Sequence, residues 1–169
     1  MRYIKDGAVA ADPWVHIEGD EPVPADVPAI VSPDWLFAAT PDVLAARGAP
    51  LGVAWPNDRP ESELAPYLAR LALIALEFPV FRDGRAYSQA RRLRERHGFK
   101  GEIRATGDVL RDQFLFMARA GFNAFEVRKP ADAEAFIQAL NAFSIRYQPA
   151  GSDSPAFRAR LRSTFPFST

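Results

Sequence analysis

Cysteine is absent from all 169 residues. That excludes a disulfide framework, a thiolate nucleophile, a Cys-ligated iron–sulfur cluster and thiol redox chemistry within this chain. Histidine is nearly absent, with His16 and His97 alone, so a multi-histidine metal centre is not expected. No apolar run reaches the length of a membrane span, and MRYIKDG lacks the apolar core of a signal peptide. Charge of one sign is missing as well: 21 Lys plus Arg balance 21 Asp plus Glu. A neutral molecule has no whole-body field to draw nucleic acid or an anionic membrane. Neither a Walker A sequence nor a glycine-rich dinucleotide fingerprint occurs, and no cofactor is expected. These absences predict a cytoplasmic protein without nucleic-acid or membrane partners.

What is present is a 48% hydrophobic chain, enough to bury a core in one domain. Its most regular stretch runs from Phe78 to Arg128. Two helical patterns there leave by the same exit, His97-Gly98-Phe99 and Ala120-Gly121-Phe122, each followed by a short strand. Glycine takes the left-handed conformation after a helix, and the apolar neighbour packs back on the last turn. The first helical pattern presents Tyr87, Ala90, Leu93 and His97 on one side; the second presents Leu110, Phe114, Met117 and Gly121. His97 is read as a packing and capping residue of the last turn.

Upstream, Asp6-Gly7 between Arg2–Lys5 and Ala8–Ala10 predicts a β-hairpin, which Trp14–Ile17 would extend with His16 on its wetter face. Residues 18–28 are acidic and proline-rich and read as a loop. Ala29–Val31 is a short strand, and Ser32-Pro33-Asp34 and Thr40-Pro41-Asp42 both open helices. Leu51–Trp55 is the next strand, a short or kinked helix interrupted by Pro66 is expected over Pro60–Arg70, and Leu71–Phe78 reads as a buried parallel strand. A last helix is predicted from Asp132 to Phe143, and a strand from Phe143 to Gln148.

This alternation predicts an α/β fold of parallel β/α units resembling half a (β/α) barrel, with an N-terminal hairpin; a doubly wound open sheet is the alternative. One domain is expected over residues 1–148, with hairpin and loop at 1–28, β/α core at 29–148, and a C-terminal arm at 149–169. Half a barrel leaves two sheet edges open, to be covered by the hairpin, the Ala29 strand or a second subunit. With Phe157, Phe165 and Phe167 in the arm, a homodimer is expected.

Chemistry is expected at the carboxyl ends of the strands. The loop Arg82-Asp83-Gly84-Arg85 opens onto a helix, where backbone N–H groups and two guanidinium groups suit an anion, with Tyr87, Ser88, Thr106 and Arg111 nearby. Asp83 would otherwise order its loop, and Asp108 would cap its own helix. Glu77, Asp108 and Glu126 fall at successive strand ends and form the candidate catalytic set, acid–base or holding a divalent cation. The competing reading pairs Glu77 and Glu126 with Arg85, Arg104 or Arg128.

Several short runs carry a family resemblance: Asp83-Gly84-Arg85 with Tyr87-Ser88, Ala90-Arg91, Leu93-Arg94, Gly101-Glu102 with Arg104-Ala105, Gly107 through Gln113, Gly121-Phe122 with Phe125, and Tyr147-Gln148. Over about Leu51 to Gln148 the sequence resembles the bacterial domain of unknown function 934 family. Members are described as oxidoreductases involved in sulfite reduction and accompany sulfite reductase. The resemblance implies an accessory protein of assimilatory sulfate and sulfite reduction. It would bind a small oxyanion, or a partner such as sulfite reductase or another sulfate-assimilation enzyme. The redox step itself is read as the partner's, because this chain carries no redox ligand.

Overall fold

The structure is a computed structural model that describes residues 2–19, 21–80, 83–127, 133–134 and 137–138. β1 (Arg2–Lys5) and β2 (Ala8–Ala10) form the expected hairpin, pairing Tyr3 with Ala10 and Lys5 with Ala8. Asp6 and Gly7 take φ of 49° and 84°, the two positive values that a two-residue hairpin turn demands. After β3 (Val15–His16) and β4 (Ala29–Val31), Ser32 accepts from the Trp35 N–H at 3.2 Å and starts α1 (Pro33–Ala38). Thr40 repeats the arrangement for α2 (Pro41–Ala45), so the break between the two helices falls where two Ser/Thr-Pro starts compete.

β5 (Leu51–Trp55) and β6 (Leu71–Phe78) follow as read. Between them the short alternative of the expected helix forms, a 3-10 turn at Glu61–Leu64. Pro66 cannot donate the next helical hydrogen bond, so one turn is all that forms. α3 (Arg85–Glu95), β7 (Glu102–Gly107), α4 (Phe114–Ala120) and β8 (Ala124–Val127) complete the described elements. Of the expected helix from Asp132 to Phe143, residues 133–134 and 137–138 are described and helical. The following strand and the 149–169 arm lie outside the described residues. No described helix is long and apolar enough to cross a membrane.

One sheet holds all eight described strands in the order β2-β1-β8-β7-β6-β5-β4-β3. From β3 to β8 every neighbour is parallel and the order follows the chain without reversal. That is the barrel-like arrangement; a doubly wound sheet reverses its order at a switch point. β1 lies antiparallel on β8, and β4 with β3 lies on β5, so both edges of the central strands are covered from within the chain. The expected extension of the hairpin by Trp14–Ile17 is corrected here: β3 pairs in parallel with β4, at the opposite edge from β2.

That placement forces curvature. A flat sheet would set β2 and β3 ~34 Å apart at the usual strand spacing. Only Ala11–Trp14 joins them, and five peptide steps reach at most ~18 Å. The sheet therefore curls until its edges approach, and residues 11–16 pass across the open side.

The convex face carries the main core. Val53, Trp55, Ile74, Leu76, Phe78, Ile103, Ala105, Phe125 and Val127 alternate onto it and meet Ala86, Ala90 and Leu93 of α3 and Phe114 and Met117 of α4. Phe78 touches the Tyr87 ring at 5.2 Å and Phe122 at 5.7 Å, and Phe114 stacks edge-on to Phe125 at 4.3 Å. Each fully buried phenyl ring contributes about 1.5–3 kcal/mol. Both Gly-Phe exits behave as expected, with Phe99 and Phe122 buried beside glycines of positive φ. Arg94 ties the two exits together, donating to the carbonyls of Gly121, Phe99 and Gly101 at 2.7–3.0 Å. Burial lowers its pKa to about 10.

Candidate functional site

Two polar groupings stand out, one on the rim of the sheet and one inside its curve. On the rim, α3 begins one residue after Gly84, and Asp83 accepts from the Arg85 N–H at 3.2 Å. The same carboxylate accepts from Arg85 Nε at 3.0 Å and Nη2 at 2.6 Å. These bonds hold Asp83 well below the usual carboxylate range and raise the Arg85 guanidinium. Asp83 thus does order its loop. Nη1 of Arg85 has no partner among the described residues, and the side chain is 58% exposed. Ser88, one turn on, is exposed on the same face. Tyr87 instead turns its ring to Phe78 and Phe122; burial, then the charge of Asp112, raises its pKa. Arg82 and the side chain of Arg111 lie outside the described residues.

The Thr106 hydroxyl is 3.4 Å from the Leu76 carbonyl, its acceptor within the sheet. Asp108 stands ahead of the 3-10 turn that leads into α4, whose own N-cap residue is Gln113. The Asp108 N–H donates to the Phe78 carbonyl at 2.8 Å, prolonging the sheet, and α4 starts only at Phe114 after the 3-10 turn at Arg111–Gln113. Glu77 lies opposite Thr106, and continuing the register of β7 with β8 puts Thr106 opposite Glu126. Glu77 and Glu126 therefore share one cross-strand row, but two strand spacings, ~10 Å, separate their backbones. Glu77 is exposed; Glu126 is drawn into the second grouping.

That grouping fills the concave face and centres on Arg104, which is fully buried. Its Nε donates to Glu102 Oε1 at 2.9 Å and its Nη1 to Glu126 Oε1 at 3.1 Å. Both outer nitrogens bind Asp12, at 2.8 and 3.0 Å, a bidentate contact reaching in from the crossing segment. The guanidinium also lies over the Tyr3 ring, 4.3 Å from its centroid. Tyr3 donates its hydroxyl to Glu102 at 2.8 Å, and Lys5 Nζ sits 3.0 Å from the same carboxylate. His16 Nε2 is 3.6 Å from Glu126. In a flat sheet β3 and β8 would stand ~24 Å apart, so this contact reports the curl directly.

Burial opposes the charge of Arg104, yet Asp12 and Glu102 outweigh it and hold the group firmly protonated. Burial, reinforced by Glu102, pushes the Tyr3 phenol up. The pairing of Glu126 with Arg104, one of the two readings of that carboxylate, is what forms. Below the network, at the amino ends of the strands, lies a depression of about 460 Å³ bordered by Lys5, Trp14, Pro28, Pro50 and Lys100.

Residues 52–157 match the family described as Bacterial protein of unknown function (DUF934). The chain belongs to this family. No curated protein matches it. The match begins inside β5, so β1 to β4 of this DUF934 protein lie outside the matched stretch. Arg104, Glu102 and Glu126 are inside it, whereas their partners Tyr3, Lys5, Asp12 and His16 are not. Sequence reading missed this second half of the network. Polar residues at 3, 5, 12 and 16 carry no recognisable spacing, and only a full sheet order shows that they meet.

Proposed function

We propose that this DUF934 protein is an accessory of assimilatory sulfate and sulfite reduction, meeting a small oxyanion or an acidic face of a partner enzyme with the rim at the start of α3. The observation that supports it is Arg85: an exposed guanidinium held on one edge by Asp83, with Nη1 uncommitted, at the amino end of an eleven-residue helix. Asp83 fixes the direction of the fork, and the second edge meets a carboxylate or oxyanion in the plane. Ser88 adds a hydroxyl on that face, and Arg91 and Arg96 are exposed further along the helix.

The test is growth of a deletion strain of the host on sulfate as sole sulfur source. The strain grows slowly on sulfate, recovers with sulfide or cysteine, and is complemented by the wild-type gene but not by Arg85→Glu. Normal growth of the deletion strain on sulfate removes the pathway; full complementation by Arg85→Glu leaves the pathway and removes the site.

A further inference from the structure

Asp12, His16 and Glu126 come from three separate segments, yet each offers a ligand atom within 4.8 Å of the others. Asp12 belongs to the crossing segment, His16 to β3 at one sheet edge, and Glu126 to β8 near the other. We propose that these three side chains form a binding site for one divalent transition-metal ion of the Zn²⁺ class, on the concave face of the sheet.

The charge balance asks for a cation here. Asp12, Glu102 and Glu126 carry three negative charges, and Arg104 and Lys5 supply two positive ones. The carboxylates thus outnumber the Arg and Lys cations by one, in a cluster whose exposed end holds His16. The donors suit the ion: one imidazole nitrogen and two carboxylates, three protein ligands with a position left for water or an anion. His16 is 48% exposed and Asp12 28%, so the site has an approach from solvent.

Arg104 Nη1 bridges Asp12 Oδ2 and Glu126 Oε1 from its buried position, and the proposed ion takes the His16 side of the same carboxylates. Asp12 Oδ2 and Glu126 Oε1 each accept one hydrogen bond from Arg104 and retain a second lone pair, whereas Asp12 Oδ1 also accepts from the Trp14 N–H at 3.2 Å; no hydrogen bond engages the other oxygen of Glu126 among the described residues. Outer partners of this kind orient ligating carboxylates in metal centres. Ligand atoms about 2.0–2.2 Å from a zinc ion lie roughly 3–3.5 Å apart. His16 and Glu126 are at 3.6 Å already, and a small movement of the exposed Asp12 and His16 side chains closes the remainder. This site is independent of the Arg85 reading.

Calorimetric titration of the full chain with Zn²⁺ at pH 7.5 tests it, with Co²⁺ absorption as a spectroscopic readout. The expected result is one ion per chain, with affinity at least tenfold weaker in His16→Ala and in Glu126→Gln. Cobalt d–d bands appear in the wild type and vanish in His16→Ala. His97→Ala and Glu77→Gln retain full binding. His16→Ala should keep the wild-type melting temperature without metal, since its half-exposed ring packs no core, and Glu126→Gln is read only if its circular dichroism is native. Absence of Zn²⁺ heat, or one-to-one binding that survives His16→Ala, overturns the proposal.

Discussion

Replacing Arg104 by methionine tests whether the concave network is a structural necessity. The substitution removes three carboxylate contacts and the cation–π contact in a side chain with no solvent exposure. Glu102, 3% exposed, is left with Lys5 and Tyr3, and Glu126, 12% exposed, with His16. Stranding buried charge by removing its partner costs about 3–5 kcal/mol. Against a typical total of about 5–15 kcal/mol, such a loss is severe. With a urea m-value of about 2 kcal/mol/M, a loss near 4 kcal/mol moves the unfolding midpoint down by about 2 M. Arg104→Lys keeps the charge but not the fork, and should fall between wild type and methionine. The triple change Arg104→Met, Glu102→Gln, Glu126→Gln removes the stranded charges together and should recover much of the loss. A midpoint for Arg104→Met within about 0.25 M of wild type would refute the reasoning. A triple variant no better than Arg104→Met would assign the cost to packing rather than to charge.

Gly107 has φ of 86°, and a Cβ there would lie 2.4 Å from the Phe78 carbonyl oxygen, so Gly107→Ala should lose at least about 1–3 kcal/mol in urea unfolding. Equal stability would show that the β6–β7 end yields freely. Glu61 is buried with Arg92; burial pushes its carboxyl up, but the Arg92 bond wins and its pKa falls below 4.5. A depressed folded pKa gives stability that is present above pH ~4.5 and lost as the pH falls. Glu61→Gln should therefore flatten the acid limb of the melting-temperature profile below that pH, and an unchanged limb would count against the pair.

The β/α alternation from Leu51 was legible because every local cue agreed: short apolar strands, helices with one buried face, and two Gly-Phe exits. The strand reading of Leu71–Phe78 held because Pro79 stops a helix there and the flanking units demand a parallel partner. Over residues 60–70 Pro66 was the legible signal, since it stops the helical pattern early and leaves the short 3-10 turn at Glu61–Leu64. At the rim, Asp83 and Arg85 were legible as neighbours two residues apart. The amino-terminal half of the Arg104 network was not, because Tyr3 and Asp12 stand 99 and 92 residues from Glu102 and Arg104 and meet them only once the sheet is assembled.

The fastening of the chain's first residues sets an order in time. Tyr3 meets Glu102 across 99 residues, and Asp12 meets Arg104 across 92. On the ribosome, at about 5–20 residues per second, the hairpin and crossing segment wait roughly 5–20 s before β7 and β8 exist to receive them. Closure by such distant contacts also slows folding. These first residues are made before their partners, and meanwhile the waiting hairpin and crossing segment are short and carry Lys5, Asp6 and Asp12. Charges on such a segment, of which Lys5 later pairs with Glu102 and Asp12 with Arg104, disfavour pairing of an open edge with the wrong strand.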